Sequence, residues 1–295
     1  MKKIALFLLI ISALFACSSV PITGRKQLNL VSDSEVLSLS LQEYNDYIQT
    51  AKKSTDQTAT ALVVKVGKNI ANAVALYYKS VNAEDEMKNF AWEFNLVEDQ
   101  QVNAFCMPGG KIVIYTGILP VTQDETGLAI VVSHEVAHAV AKHANERMSQ
   151  QVAAQYGAQA VSILTGKASE TLQAVAQQVY GLGAEYGVML PYSRAQEHEA
   201  DHLGLIFMAI AGYNPQAALP FWQRMSQQGQ AVPEFMSTHP SDAARIANLQ
   251  KIMPEAMDVY KGVWGKYPAG YTPAAGSTNT NTNKTTTNTS NQWRF

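Results

Sequence analysis

Cysteine is nearly absent from the 295 residues: Cys17 and Cys106 are too few to staple a fold, which must instead rest on a hydrophobic core. An excess of charge of one sign is also missing, since 22 basic residues stand against 24 acidic ones, so no nucleic-acid partner is expected. With 47% hydrophobic and 16% charged residues, the chain is no disordered polyelectrolyte. No internal repeat is found, which excludes a solenoid. Histidine is scarce and unevenly placed: all six lie between His134 and His239. That cluster directs attention to the middle of the chain.

The ends read as processing or tail segments. Lys2 and Lys3 precede an apolar run, Ile4 to Phe15, too short to span a bilayer and laid out like a secretory leader. It ends in Leu14-Phe15-Ala16-Cys17, followed by Ser18 and Ser19, which resembles the lipobox of bacterial lipoproteins, although Phe15 is bulkier than usual there. On this reading Cys17 is lipidated, and Cys106 is left as a buried or semi-buried free thiol. The other reading is an ordinary leader with a chance cysteine. Gly276 to Ser290 is almost wholly Thr and Asn and is expected to be disordered, and Gln292 to Phe295 is either a docking tag or the end of that tail. The expected division is a signal peptide at 1–16, a lipidated irregular tether at 17–31, one folded domain at 32–270 and a tail at 271–295.

Within the domain, Ser32 to Glu35 opens a helix reaching about Lys53. A second helix, from about Thr58 to Lys79, carries the stripe Leu62, Val66, Ile70 and Val74. From Phe90 the period changes to that of strands: Trp92 to Leu96, a short piece at Asn103-Ala104-Phe105, and Lys111 to Thr116 after the turn Pro108-Gly109-Gly110. The short connections predict a small antiparallel sheet. Thr122 to Glu125 has the form of a capping box and predicts one helix to about Ser149, and small-residue helices follow across 150–187.

Chemistry concentrates in His134-Glu135-Val136-Ala137-His138. Four residues is about one helical turn, so the imidazoles project from one face and can hold one ion. Glu135 lies about 100° round the axis, within reach of a water beside that ion. The apolar flanks Leu128 to Val132 bury this helix, where unpaired histidines would be costly. His143 follows without the Gly spacing of a longer histidine motif and reads as a helix C-terminal bystander. The third ligand is expected from Ser193 to Asp201. Ser193 and Gln196 form a capping box, Glu197 can bind the metal, and Asp201, four residues on, can orient an imidazole through its other nitrogen. Glu199, His198 and His202 read as salt-bridge or surface residues. Spacing alone leaves His239 open between a polar surface loop and a catalytic role.

These residues, with Ala211 to Pro215, Ser237 to Pro240, Pro21 to Arg25 and Asn103 to Gly117, resemble the gluzincin family of the CAAX prenyl protease, the Oma-type proteases and bacterial lipoproteins of BepA and LoiP type. The chain is most similar to the smaller, LoiP-like, single-domain kind. The resemblance implies an α+β fold, a mainly helical zincin-like metalloprotease domain with the small antiparallel sheet beside the H-E-x-x-H helix. It implies His134, His138 and Glu197 as ligands of one Zn2+ and Glu135 as general base. His239 would stabilise the intermediate or occupy the open zinc position, with Arg245 in support, and Asn103, Ala104 and Phe105 would pair with an extended substrate strand. The function so implied is a zinc endopeptidase of the bacterial envelope, anchored through Cys17, at the outer membrane facing the periplasm. Its substrates would be unfolded or misassembled envelope proteins. A chaperone or assembly factor whose cleft binds clients, and a lipoprotein scaffold with a structural metal, are the alternatives.

Overall fold

The structure is a computed structural model that describes residues 17–20, 23–156, 169–180, 192–227, 239 and 243–262. The leader at 1–16, Pro21, Ile22, Ser237, Thr238, Pro240 and the Thr/Asn tail lie outside the described residues, as does much of the small-residue region at 150–187. Strands β1 (Cys17–Ser19) and β2 (Lys26–Leu28) form an antiparallel ladder, Cys17 opposite Leu28. The segment expected as an irregular tether is therefore partly structured, because Val20 and Val31 are fully buried and tie it to the domain.

Helix α1 (Asp33–Thr50) starts where expected, with a capping box: the Glu35 amide donates to Ser32 Oγ and the Ser32 amide donates to the Glu35 carboxylate. Helix α2 (Gln57–Ser80) is capped by Asp56 and buries Val63, Val66, Ile70, Val74, Tyr77 and Tyr78, while Leu62 at the head of the expected stripe is half-buried. Strands β3 (Glu93–Val97), β4 (Ala104–Met107) and β5 (Lys111–Tyr115) form one sheet in the order β3-β5-β4. The sheet is mixed, not wholly antiparallel. The tight turn at Gly109 and Gly110, both with φ above +80°, folds β4 back on β5. The longer connection at 98–103 instead carries the chain past β5's position, so β3 lies on its far side and runs parallel to it.

Helix α3 (Glu125–Val140) begins two residues later than the capping-box reading. Asp124, not Thr122, is the cap and accepts from the Gly127 amide, while the Thr122 hydroxyl donates to the Leu119 carbonyl in a short helical turn, Leu119–Thr122. Every residue from Gly127 to Val140 is buried. The helix also stops earlier than expected. Lys142 adopts φ +58°, held by ion pairs of 2.7 Å to Asp33 and 2.7 Å to Glu86, and helix α4 (His143–Tyr156) starts anew in another direction. Helices α5 (Ser169–Tyr180), α6 (Arg194–Ile210), α7 (Ala218–Gln227) and α8 (Ala243–Tyr260) follow.

The sheet divides the apolar interior. Leu96, Ala104, Cys106, Ile112 and Ile114 join α2, α3, α6 and α8 in the larger core, and Cys106 is a buried free thiol. Phe105, Met107, Val113 and Tyr115 face α1, α4 and α5. Helices α3 and α6 cross closely at Gly204, where an added Cβ would lie 3.2 Å from the His134 amide nitrogen and 3.3 Å from its Cα. Glycine at this crossing lets two functional helices share one layer. Replacement Gly204→Val is expected to cost about 1–3 kcal/mol through overpacking, read as a lower urea midpoint at unchanged m-value.

Candidate metal centre

His134 and His138 stand one turn apart on α3, their Nε2 atoms 3.1 Å from each other. Ser193 starts α6 in a capping box with Gln196, which puts Glu197 in the first turn and aims its carboxylate at α3. Glu197 Oε2 lies 3.4 Å from His134 Nε2 and Oε1 lies 3.3 Å from His138 Nε2. His239, from the segment between α7 and α8, brings Nδ1 to 3.3 Å from His134 Nε2 and 3.0 Å from Glu197 Oε1. The four donor atoms fall within 4.8 Å of one another and all four residues are at most 2% exposed.

This donor set fits a four-coordinate metal. Ligands at about 2.0–2.1 Å from a tetrahedral ion stand about 3.3 Å apart, close to the 3.0–3.4 Å separations found here. Nitrogen lone pairs and a carboxylate converge on one point, which needs a cation at its centre. The protonation balance agrees. Burial and the Arg245 cation oppose protonation of His134, yet Glu197 and Asp201 outweigh them and raise its pKa from 6.5 to about 9. Burial would raise the Glu197 carboxyl, but His239, Arg245 and His134 hold it well below the usual range.

Each imidazole is held from behind. Asp201 Oδ1 sits 3.1 Å from His134 Nδ1, the orienting contact expected from its spacing to Glu197. Arg245, 1% exposed, donates from Nε and a terminal nitrogen to Asp201 at 2.8 and 2.7 Å, reaches Glu197 Oε2 at 3.0 Å, and stacks over the Trp222 ring at 3.6 Å. His138 stacks on Tyr192 at 3.7 Å between centroids, and its Nδ1 lies 2.8 Å from His143 Nδ1. His143 Nε2 in turn lies 2.9 Å from Glu199 Oε2. His143 is therefore not a bystander: it is buried directly behind a histidine of the cluster, and Glu199, buried behind His143, takes the salt-bridge role expected of it through Arg25. Their proximity depends on the chain break at Lys142, which turns His143 back onto His138, and spacing along a continuous helix could not show it. His202 pairs with Glu255 at 2.8 Å, the salt-bridge role expected of it, and His198 is half-buried.

Glu135 is 1% exposed and its Oε1 accepts no hydrogen bond from the described residues, with His239 Nε2 at 3.5 Å. Burial pushes its carboxyl up, against the pull of His239 and His134. A buried carboxylate without a donor, one side chain from the cluster, is poised to take a proton. Strand β4 lies beside α3 at the edge of the described sheet. Asn103 just precedes it, its carbonyl accepting from the Tyr115 amide, and Ala104 and Phe105 are buried within it.

The sequence profile of Peptidase family M48 matches residues 67–253, a span holding all four donors and Glu135. The chain belongs to peptidase family M48. Its membership brings in metal-dependent proteases, in keeping with the donor cluster. Mitochondrial metalloendopeptidase OMA1 of Schizosaccharomyces pombe is 37% identical over 201 residues, 65% of this chain and 57% of that protein. Metalloendopeptidase OMA1, mitochondrial, of Homo sapiens is 30% identical over 249 residues, 81% of this chain and 46% of that protein. Beta-barrel assembly-enhancing protease of Yersinia pestis is 31% identical over 184 residues, 56% of this chain and 36% of that protein. The chain thus spans about half the length, or less, of these relatives, which come from mitochondria and bacteria alike.

Two outcomes follow for this M48 site. Replacing Arg245 by Met in the metal-free chain is expected to cost about 3–5 kcal/mol in urea unfolding, because Asp201 and Glu197 keep buried charges without their cation, and adding Asp201→Asn should restore part of it. The raised pKa of His134 contributes stability that is fully present below 6.5 and lost as pH rises to about 9. The urea midpoint of metal-free protein should accordingly fall across that window, and a bound divalent metal, taking the proton's place, should flatten the dependence.

Proposed function

We propose that the chain is a zinc-dependent endopeptidase that hydrolyses peptide bonds in unfolded or misassembled proteins of a bacterial envelope. The observation that carries this reading is the convergence of His134, His138 and Glu197 beside Glu135, whose Oε1 accepts no hydrogen bond from the described residues. When bound, zinc supplies a Lewis acid that polarises the scissile carbonyl and acidifies the attacking water. Glu135, its carboxyl raised by burial, takes the proton from that water and delivers it to the leaving amine. Asp201 and Arg245 hold His134 with its Nε2 lone pair toward the cluster. His239 faces both Glu135 and Glu197 and can steady the negative charge that develops on the substrate carbonyl. An extended polypeptide would pair by β-addition beside Asn103, Ala104 and Phe105, using backbone groups, since those side chains are committed to the core.

The envelope location rests on the leader at 1–16, its lipobox and Cys17, with a short lipidated segment leading to a single protease domain over 32–270. Ser18 and Ser19 lack the acidic residue that would retain a lipoprotein at the inner membrane, and this supports the outer membrane, facing the periplasm. The bacterial relative named as a β-barrel assembly-enhancing protease supports envelope proteins as the substrate class.

One feature favours a second reading. His239 Nδ1 stands 3.3 Å from His134 Nε2 and 3.0 Å from Glu197 Oε1, within the same set of donors, so it would fill the fourth position that an attacking water needs. That arrangement suits a latent protease whose His239 withdraws, or a scaffold with a closed structural metal. Purified wild type and Glu135→Gln are to be compared for zinc content and for cleavage of an unfolded casein-type substrate. The protease reading expects about one zinc in each protein and a loss of cleavage by at least about 100-fold in the variant. Chelator-sensitive cutting that survives in the variant would sink the assigned base. Zinc without cleavage in wild type would favour the closed site, latent or structural, over the open protease.

A further inference from the structure

The Thr23-Gly24-Arg25 turn has no part in the mechanism above, yet it reaches the cluster from behind. Arg25 donates from Nε to Glu199 Oε2 at 2.6 Å and from its two terminal nitrogens to Glu146 at 2.8 and 2.7 Å. The Thr23 hydroxyl also donates to Glu199. Glu146 is held further by the Gln196 side chain at 2.8 Å. Glu199 thus has two donors from the N-terminal segment on one side and His143 on the other, one of them the Arg25 cation, which is the setting of an ionised carboxylate.

Hydrogen-bond directions along this chain of groups are determined from its outer end. An ionised Glu199 can only accept, so His143 carries its proton on Nε2 and presents a lone pair at Nδ1. That lone pair accepts from His138 Nδ1 at 2.8 Å, which leaves His138 Nε2 bare and facing the cluster. With His143 neutral this is the one arrangement that satisfies every contact, and it gives His138 the tautomer a metal ligand requires. His134 is served in the same way by Asp201 and Arg245 without an intervening imidazole.

We infer that Arg25, Glu199 and His143 are positioning residues that act in series on His138, making the N-terminal turn a working part of the metal centre. The inference rests on the metal reading proposed above. It assigns the turn a role that packing alone would not require, since β1 and β2 are already tied down by Val20 and Val31.

The test uses the purified chain as wild type, His143→Phe, Arg25→Gln and Arg25→Lys. Zinc dissociation constants come from competition with a chromophoric chelator, and the visible spectrum of the Co2+-substituted proteins reports ligand geometry. His143→Phe and Arg25→Gln are expected to weaken zinc binding by about 10–100-fold and to shift the Co2+ bands. Arg25→Lys keeps one charge contact but loses the fork to Glu146, and should recover part of the affinity. Urea unfolding of the metal-free proteins separates this from a structural role. If the variants lose metal-free stability while zinc affinity and Co2+ spectrum match wild type, the relay is wrong. Arg25, with its side chain 24% exposed, carries the test should His143→Phe fail to fold. A wild type that binds no zinc would overturn the metal reading itself, a result distinguishable from variants that merely equal wild type.

Discussion

Three carboxylates on the first two turns of α6 set the terms for this fold. Glu197, Glu199 and Asp201 are all at most 5% exposed, and a buried charge without a partner costs several kcal/mol. Each is answered from a different part of the chain. Arg245 comes from α8 to Asp201 and Glu197, Arg25 comes from the N-terminal turn to Glu199, and the α3 histidines face Glu197. Elements far apart in sequence are thereby drawn to one helix end. The same pairing that makes burial tolerable also aims the imidazoles.

Such a cluster can exist because α3 and α6 approach without a side chain between them at Gly204. The close crossing brings Glu197 to the two histidines and leaves Glu135 on the side where β4 runs. Trp222 and Tyr192 then close the apolar walls, Trp222 against His134 and Tyr192 against His138 and His239, each carrying an arginine on its ring. Ring stacking limits rotation of the imidazoles, and the hydrogen bonds behind them choose the tautomer. Low dielectric around the site strengthens every one of these contacts.

The relatives come from mitochondria and bacteria, and the chain spans about half of their length or less. The stretch that matches the family, residues 67–253, holds the α3–α6 pair and its surroundings. Arg25 stands outside that stretch, although it completes the charge balance at Glu199. A site built partly from a flanking segment links the centre to the region next to Cys17.

Local patterns were enough to read the H-E-x-x-H helix, the capped start of α6, the Glu197 and Asp201 pairing face and the mainly helical class. Each depends on spacing within one helix, and helix geometry converts spacing into direction. The parallel pairing of β3 with β5, the true cap at Asp124 and the two-strand ladder before α1 were not legible, because each is decided by what packs against the segment. The same holds for His143. Its distance from His138 in sequence suggested a bystander on a continuing helix, and the left-handed turn at Lys142, pinned by Asp33 and Glu86, made it a neighbour. Sequence by itself thus determined which groups could bind and where the centre lies. Tertiary structure decided which charges back them, because compensation of a buried charge comes from whichever cation the fold can bring within about 3 Å, regardless of its place in the chain.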